Sequence, residues 1–148
     1  MSGLQRVRDL LEAHGSLPLQ RQRAALVNVW RPIRGPVQDR PLAICTSSSV
    51  SQADLVDTDI EHFSEENIYT PRHRGQIYSV KYNPKHCWFY VADMGPDEML
   101  LFKCYDSDVK AATRFVPHTG FVNPDCPAKF TPRESIEVRS LVIYPPGM

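Results

Sequence analysis

The chain has 148 residues, enough for one hydrophobic core and not for two, so a single unit over residues 1–148 is expected. Seventeen basic and seventeen acidic side chains cancel to a net charge of zero, which removes the broad positive field that draws proteins to nucleic acid or anionic lipid. The N-terminal MSGLQRVRDLLEAHG lacks the apolar core of a secretory signal and no apolar run approaches spanning length, so a cytoplasmic protein with neither nucleic acid nor membrane as partner is expected.

Leu4, Val7, Leu10 and Leu11 recur at helical spacing ahead of Gly15, and Ser16-Leu17-Pro18 reads as a second helix start. One or two short N-terminal helices over residues 4–23 follow from that spacing. From Ala25 the pattern changes to short runs rich in Val, Ile, Tyr and Phe, punctuated by Pro, Gly, Asn and Asp. The predicted strands are Ala25–Pro32, Leu42–Thr46, Ile77–Tyr82, Trp88–Ala92, Met99–Tyr105, Arg114–Pro117 and Ser135–Tyr144. Their number and spacing predict a mostly β sandwich or barrel over residues 25–144, with the charged stretch 54–74 as a polar surface loop. Cys45, Cys87, Cys104 and Cys126 form no CxxC pair and are expected to be buried free thiols.

Four segments taken together resemble one family: LVNVWRPIRGPVQDRPLAIC (26–45), YSVKYNPKHCWFYVADMGPDEMLLFKCYDS (78–107), RFVPHTGF (114–121) and PRESIEVRSLVIY (132–144). The family is the asaB-type hydroxylase/desaturases of fungal secondary metabolism, related to a cephem 7α-methoxylase subunit, and the chain resembles its C-terminal part. The resemblance implies a partial double-stranded β-helix of the jelly-roll or cupin type. It also implies an oxidoreductase that uses Fe(II) and 2-oxoglutarate on a small-molecule intermediate, with iron held by an HxD pair and a later histidine.

His118 takes the place of that later histidine. A histidine in a turn is by itself more often a surface hydrogen-bonding residue, and the surrounding segments are what single this one out. Arg133 and Ser135 resemble the RxS element that holds the distal carboxylate of 2-oxoglutarate, since alternate strand residues share a face and a guanidinium takes a carboxylate bidentately. Arg139 has the same parity as Arg133 and stays open as the alternative; a salt bridge from Arg133 to Glu134 or Glu137 is the structural reading. Asn28, Trp30, Arg31, Tyr82, His86 and Trp88 are pocket candidates, with core packing the commoner role for the two tryptophans.

The family pattern places HxD shortly before a segment like Arg6–Leu11, and neither HxD nor HxE occurs anywhere in the sequence. The resemblance therefore implies a chain cut short of the first two metal ligands. In the family's strand order the missing strands would pair with those carrying His118 and Arg133, so exposed sheet edges, and with them self-association or capture of a partner strand, are expected. Two other readings remain beside the oxygenase: a catalytically inactive accessory or binding protein on the same fold, and a metal-free acid/base enzyme with His118 as base.

Overall fold

A computed structural model describes residues 7, 22–62 and 73–145, to which every structural statement below refers. The eight strands are β1 (Ala24–Pro32), β2 (Leu42–Cys45), β3 (Leu55–His62), β4 (His73–Val80), β5 (Trp88–Phe89), β6 (Leu100–Asp106), β7 (His118–Gly120) and β8 (Ser135–Ile143). They form two three-stranded antiparallel sheets, ordered β6-β1-β8 and β5-β2-β7, and a separate hairpin, β3-β4.

Period-two alternation explains the central strand. Ala24, Leu26, Asn28, Trp30 and Pro32 are buried on one face of β1, whereas Val27, Val29 and Arg31 on the other are partly or fully exposed. Directly opposite residues of antiparallel strands share a face, so Phe102 and Arg139, both opposite Asn28, point the same way as Trp30. In the second sheet Leu42 and Ile44 of β2 face this inner side. Trp30, Val37, Leu42, Met94 and Phe102 make the core between the sheets, with Ile44, Leu100, Cys104 and Val116 packed against it.

A second cluster closes one end. Val7 is helical and 1% exposed against Ala24 and Leu26, with Leu141 and Cys104 beside them. The remainder of the expected helical lead-in lies outside the described residues, apart from the non-helical Gln22 and Arg23. At the same end Asp106 is fully buried and binds both Arg23, at 2.8 and 3.1 Å, and Lys103 Nζ at 2.7 Å. The Arg23 guanidinium also lies 4.5 Å over the Tyr144 ring.

The polar loop expected over residues 54–74 is a correction: Leu55–His62 is a strand paired residue for residue with His73–Val80. Val56, Thr58 and Ile60 alternate with Asp57, Asp59 and Glu61, and the charges of the second set mask the alternation of the first. Cross-strand contacts such as Thr58 Oγ1 to Ser79 Oγ at 2.7 Å join the two. The strand expected over Arg114–Pro117 is displaced to His118–Gly120, because Pro117 has no N–H for a ladder and regular pairing starts only after it. The four thiols are free, yet only Cys45 is buried; Cys87 is exposed and the other two are partly so.

Candidate active site

Proline sets the approach to the site. Val116 N–H bonds to Lys103 O of the first sheet at 2.8 Å and Pro117 O accepts from Cys45 N of the second at 2.8 Å, so the segment crosses between the sheets with both ends pinned. His118 then opens β7 directly opposite Ile44, which puts its ring on the inner face, 4.4 Å centroid to centroid from Phe102 of the opposing sheet.

The His118 ring also has a defined tautomer. Nδ1 lies 2.9 Å from the carbonyl oxygen of Val116, and a carbonyl only accepts, so Nδ1 carries the proton. In the neutral ring that makes Nε2 the lone-pair nitrogen, and no described residue bonds to it. This is the arrangement by which metal-binding histidines are held, the second nitrogen fixed by a backbone carbonyl while the first points at the ligand.

Arg133 reaches the same end of the interior from the start of β8. Its backbone N–H bonds to the Asp39 carboxylate at 3.1 and 3.3 Å, its Nη1 donates to Arg40 O at 2.9 Å, and its guanidinium stands 5.9 Å from the Trp30 ring centroid. Glycine at 120 makes room for it, since a Cβ there would lie 3.2 Å from Arg133 Nη1. Arg133 is thus drawn against the strand that carries His118, and among the described residues no acidic side chain neutralises its guanidinium. Glu134 instead pairs with Arg34 at 3.2 Å.

Arg139 is differently engaged. It lies on the same inner face, donates from Nε to Asn28 Oδ1 at 2.9 Å and approaches Glu137 at 3.9 Å. Asn28, fully buried, donates in turn to Glu137 Oε1 at 2.7 Å. Ser135 stands opposite Pro32 at the same parity as both arginines. Burial pushes the nearby Cys104 thiol above its ordinary range, so that thiol stays protonated.

The remaining sequence candidates divide by face. Trp30 is core, 5% exposed. Arg31 points outward, opposite Ile136. Tyr82 is 90% exposed beyond the end of β4 and lines no interior surface. Trp88 stands opposite Cys45, whose side chain alternates away from the Leu42–Ile44 face, so it too lies outside the pocket.

His86 is buried elsewhere, its Nε2 at 3.3 Å from Asp54 Oδ2 and with no well-aligned hydrogen bond. Asp54 is held well below the usual carboxylate range by the Ser51 hydroxyl first, then by Asn83 and the Ser51 N–H. This group ties the base of the β3–β4 hairpin together and faces no cavity with His118. Sequence reasoning missed two inner residues, Phe102 and Phe89. Phe89 stands opposite Ile44, which stands opposite His118, so the three form one inward row across the second sheet. Parity separates Phe89 from Trp88, but only the pairing register says which of them faces in.

The inner face fits one position of a metal site. An imidazole nitrogen such as that of His118 is a ligand type suited to ferrous iron, and among the described residues no three His, Cys, Asp or Glu side chains converge to complete a coordination set. No chemical step is therefore derived through iron.

Two facing antiparallel sheets with a histidine and an arginine on their inner walls are the frame of the iron/2-oxoglutarate oxygenases. The solved structure of the iron and alpha-ketoglutarate-dependent endoperoxidase NvfI, a protein known from Aspergillus novofumigatus, shares that fold with a TM-score of 0.77 at 24% identity, over 98% of this chain and 52% of that one. A family profile described as "Oxidoreductase/YMDC permease-like domain" matches residues 1–143. The chain belongs to that family, and its curated relatives support membership of the fungal iron/2-oxoglutarate hydroxylase/desaturases.

The chain is 38% identical over 128 residues to aspirochlorine biosynthesis protein N of Aspergillus oryzae, covering 85% of this chain and 50% of that protein. It is 37% identical over 144 residues to the hydroxylase/desaturase asaB of Aspergillus flavus, covering 93% and 63%. The chain spans about half the length of the curated relatives it matches. Among the described residues no helix is long and apolar enough to cross a membrane.

Proposed function

We propose that this chain contributes the distal half of an oxygenase site that hydroxylates or desaturates a small-molecule intermediate of secondary-metabolite biosynthesis. His118 is one ligand for Fe(II), and Arg133 with Ser135 receives the distal carboxylate of 2-oxoglutarate. The observation that carries the reading is the Nδ1–H bond of His118 to Val116 O, which makes Nε2 the lone-pair nitrogen of the neutral ring, on a residue whose ring packs against Phe102. Neither HxD nor HxE occurs in the sequence, so His118 is the one family-type iron ligand assigned here.

Arg133 is preferred to Arg139 because its guanidinium lacks an acidic partner among the described residues, whereas Arg139 is engaged by Asn28 and Glu137. An uncompensated guanidinium against a tryptophan face is suited to a carboxylate, which it meets through two parallel N–H bonds. Phe102 and Trp30, both buried, give the neighbouring wall its apolar character, which strengthens that ion pair. These residues bind and orient; the oxidising chemistry is the cofactor's.

Anaerobic titration of the purified chain with Fe(II) and 2-oxoglutarate, followed by metal-to-ligand charge-transfer absorption, tests the proposal. The expected result is a band that disappears in His118→Ala and weakens on the order of tenfold in apparent affinity in Arg133→Ala, the loss of one charge-assisted contact. Absence of the band in the unsubstituted chain would sink the oxygenase reading and leave an accessory or binding protein on the same fold.

A further inference from the structure

We propose that Asp39 is the residue that positions Arg133 for the distal carboxylate of a 2-oxo diacid, by clasping the approach to β8 onto the sheet that carries His118. The ligand rests on the oxygenase reading, and the clasp rests on bonds between described residues.

Sheet membership creates the need for a clasp. Arg133 leads into β8 of the β6-β1-β8 sheet, whereas His118 opens β7 of the β5-β2-β7 sheet. A ligand that reaches from one residue to the other fits only if the two sheets are held at a fixed spacing at this end. The ladders do not provide that, because their bonds run within each sheet and the pairing of β8 with β1 begins only at Ser135.

The stretch 37–41 supplies the fixed point. Val37 is buried in the core and its N–H donates to Met94 O at 3.0 Å. Asn123, just beyond β7, donates from Nδ2 to Gln38 O at 2.9 Å and from its N–H to Asp39 O at 2.9 Å. Phe121 N–H donates to Pro41 O at 3.3 Å, and Leu42 then opens β2 directly opposite Gly120. The backbone of Asp39 is thus tied to the segment that follows His118, and moves with the second sheet.

From that platform Asp39 and Arg40 hold Arg133 at two points. The Asp39 carboxylate accepts the Arg133 backbone N–H at 3.1 and 3.3 Å, and Arg40 O accepts from Nη1 at 2.9 Å. A carboxylate on a peptide N–H makes a charge-assisted bond, stronger than the carbonyl bond of a ladder. The first contact fixes the Cα from which the long side chain departs, and the second fixes its far end. A side chain pinned at both ends has given up its rotamer freedom before the ligand arrives, so that entropy is not lost again on binding. Asp39 spends its bonds on the backbone, which leaves the charge of the guanidinium for the ligand.

Asp39 therefore acts through Arg133, and the tests separate that from a general role in folding. Relaxation of the Arg133 Nε–Hε group in ¹⁵N spectra, assigned with Arg133→Lys, reads the positioning with no ligand present. It is expected to report a rigid group in the unsubstituted chain and fast motion in Asp39→Ala. In the anaerobic Fe(II) titration, apparent affinity for 2-oxoglutarate is expected to fall on the order of tenfold in Asp39→Ala. Asp39→Asn keeps one acceptor oxygen without its charge and is expected to lie between the two. 2-Oxobutyrate, which has the 2-oxo acid group but no distal carboxylate, is expected to titrate alike in all three. In an Arg133→Ala background, Asp39→Ala is expected to add no further loss for 2-oxoglutarate.

Far-UV circular dichroism checks that each variant keeps its β structure; if Asp39→Ala does not, Asp39→Asn carries the same comparisons with a smaller expected change. An Arg133 side chain as rigid without the Asp39 carboxylate as with it, or equal losses for the two acids, would overturn the proposal and leave the oxygenase reading in place. A charge-transfer band that never forms in the unsubstituted chain would instead overturn the oxygenase reading, and with it the ligand for which Arg133 is positioned.

Discussion

Replacing Asp106 with alanine is expected to lower the melting temperature by about 10 °C at neutral pH, corresponding to a loss of about 3 kcal/mol. The carboxylate is fully buried, yet it accepts from Arg23 Nε and Nη2, from Lys103 Nζ and from the Asp108 N–H, and removing it leaves two cations facing each other. Arg23 and Lys103 keep about a third of their side-chain surface in water, which holds the loss to the low end for a broken buried pair.

Acid should remove the same stabilisation. Burial alone would push the Asp106 carboxyl up, but the Arg23 and Lys103 hydrogen bonds overcome it and hold it well below the usual carboxylate range. A carboxylate depressed on folding contributes stability that is complete above its unfolded value of about 4 and is lost as pH falls through the folded value. The difference in melting temperature between the unsubstituted chain and Asp106→Ala is therefore full at pH 7 and shrinks below about pH 4. A difference that does not change with pH would contradict this account of the cluster.

Phe102→Ala is expected to cost about 3–5 kcal/mol, a large effect for a single truncation in the core. Phe102 is 5% exposed and touches both halves of the site: it packs with Trp30, Val37, Leu42 and Met94, and its ring lies against that of His118. The cavity left behind faces the imidazole, so the substitution is expected to loosen His118 as well as lower stability. Leu101→Ala is the control, one residue along the same strand but 63% exposed on the opposite face, with an expected change within about 0.5 kcal/mol. Chemical denaturation of both variants measures the contrast; similar losses would mean that the inner face of β6 has been assigned to the wrong parity.

The elements whose alternation pairs apolar with polar residues were legible in the sequence. In β1 the run of Leu26, Asn28, Trp30 and Pro32 has one face to bury, and Ser135–Ile143 has a period of two and no interior breaker. The β3 strand was not legible, because three acidic side chains on its outer face outweigh Val56, Thr58 and Ile60 in any average over the segment. The β7 strand was misplaced by the weight given to apolar Phe115 and Val116, whereas the missing N–H of Pro117 decides where pairing starts.

The same division holds for the candidate site. His118 was singled out through its neighbouring motif, and its place opposite Ile44 supplies the physical reason for its direction. Arg133 and Arg139 were indistinguishable by spacing, since both have the inward parity. What separates them is Asn28, whose amide occupies Arg139 from the neighbouring strand and leaves Arg133 to a backbone carbonyl. Phe89 and Trp88 exchanged places for a related reason: a two-residue strand carries no readable period, and only its register against β2 assigns the faces.

His118 is held from behind by Val116 O at Nδ1, which makes Nε2 the lone-pair nitrogen of the neutral ring. Imidazole ¹⁵N–¹H correlation spectra of the chain at a pH where His118 is neutral, assigned by comparison with His118→Gln, test it most directly. The predicted result is a proton on Nδ1, with Nε2 showing the shift of an unprotonated nitrogen that moves when a diamagnetic divalent metal such as Zn²⁺ is added. A proton found on Nε2, with Nδ1 bare, would contradict the Val116 bond and the functional reading built on it.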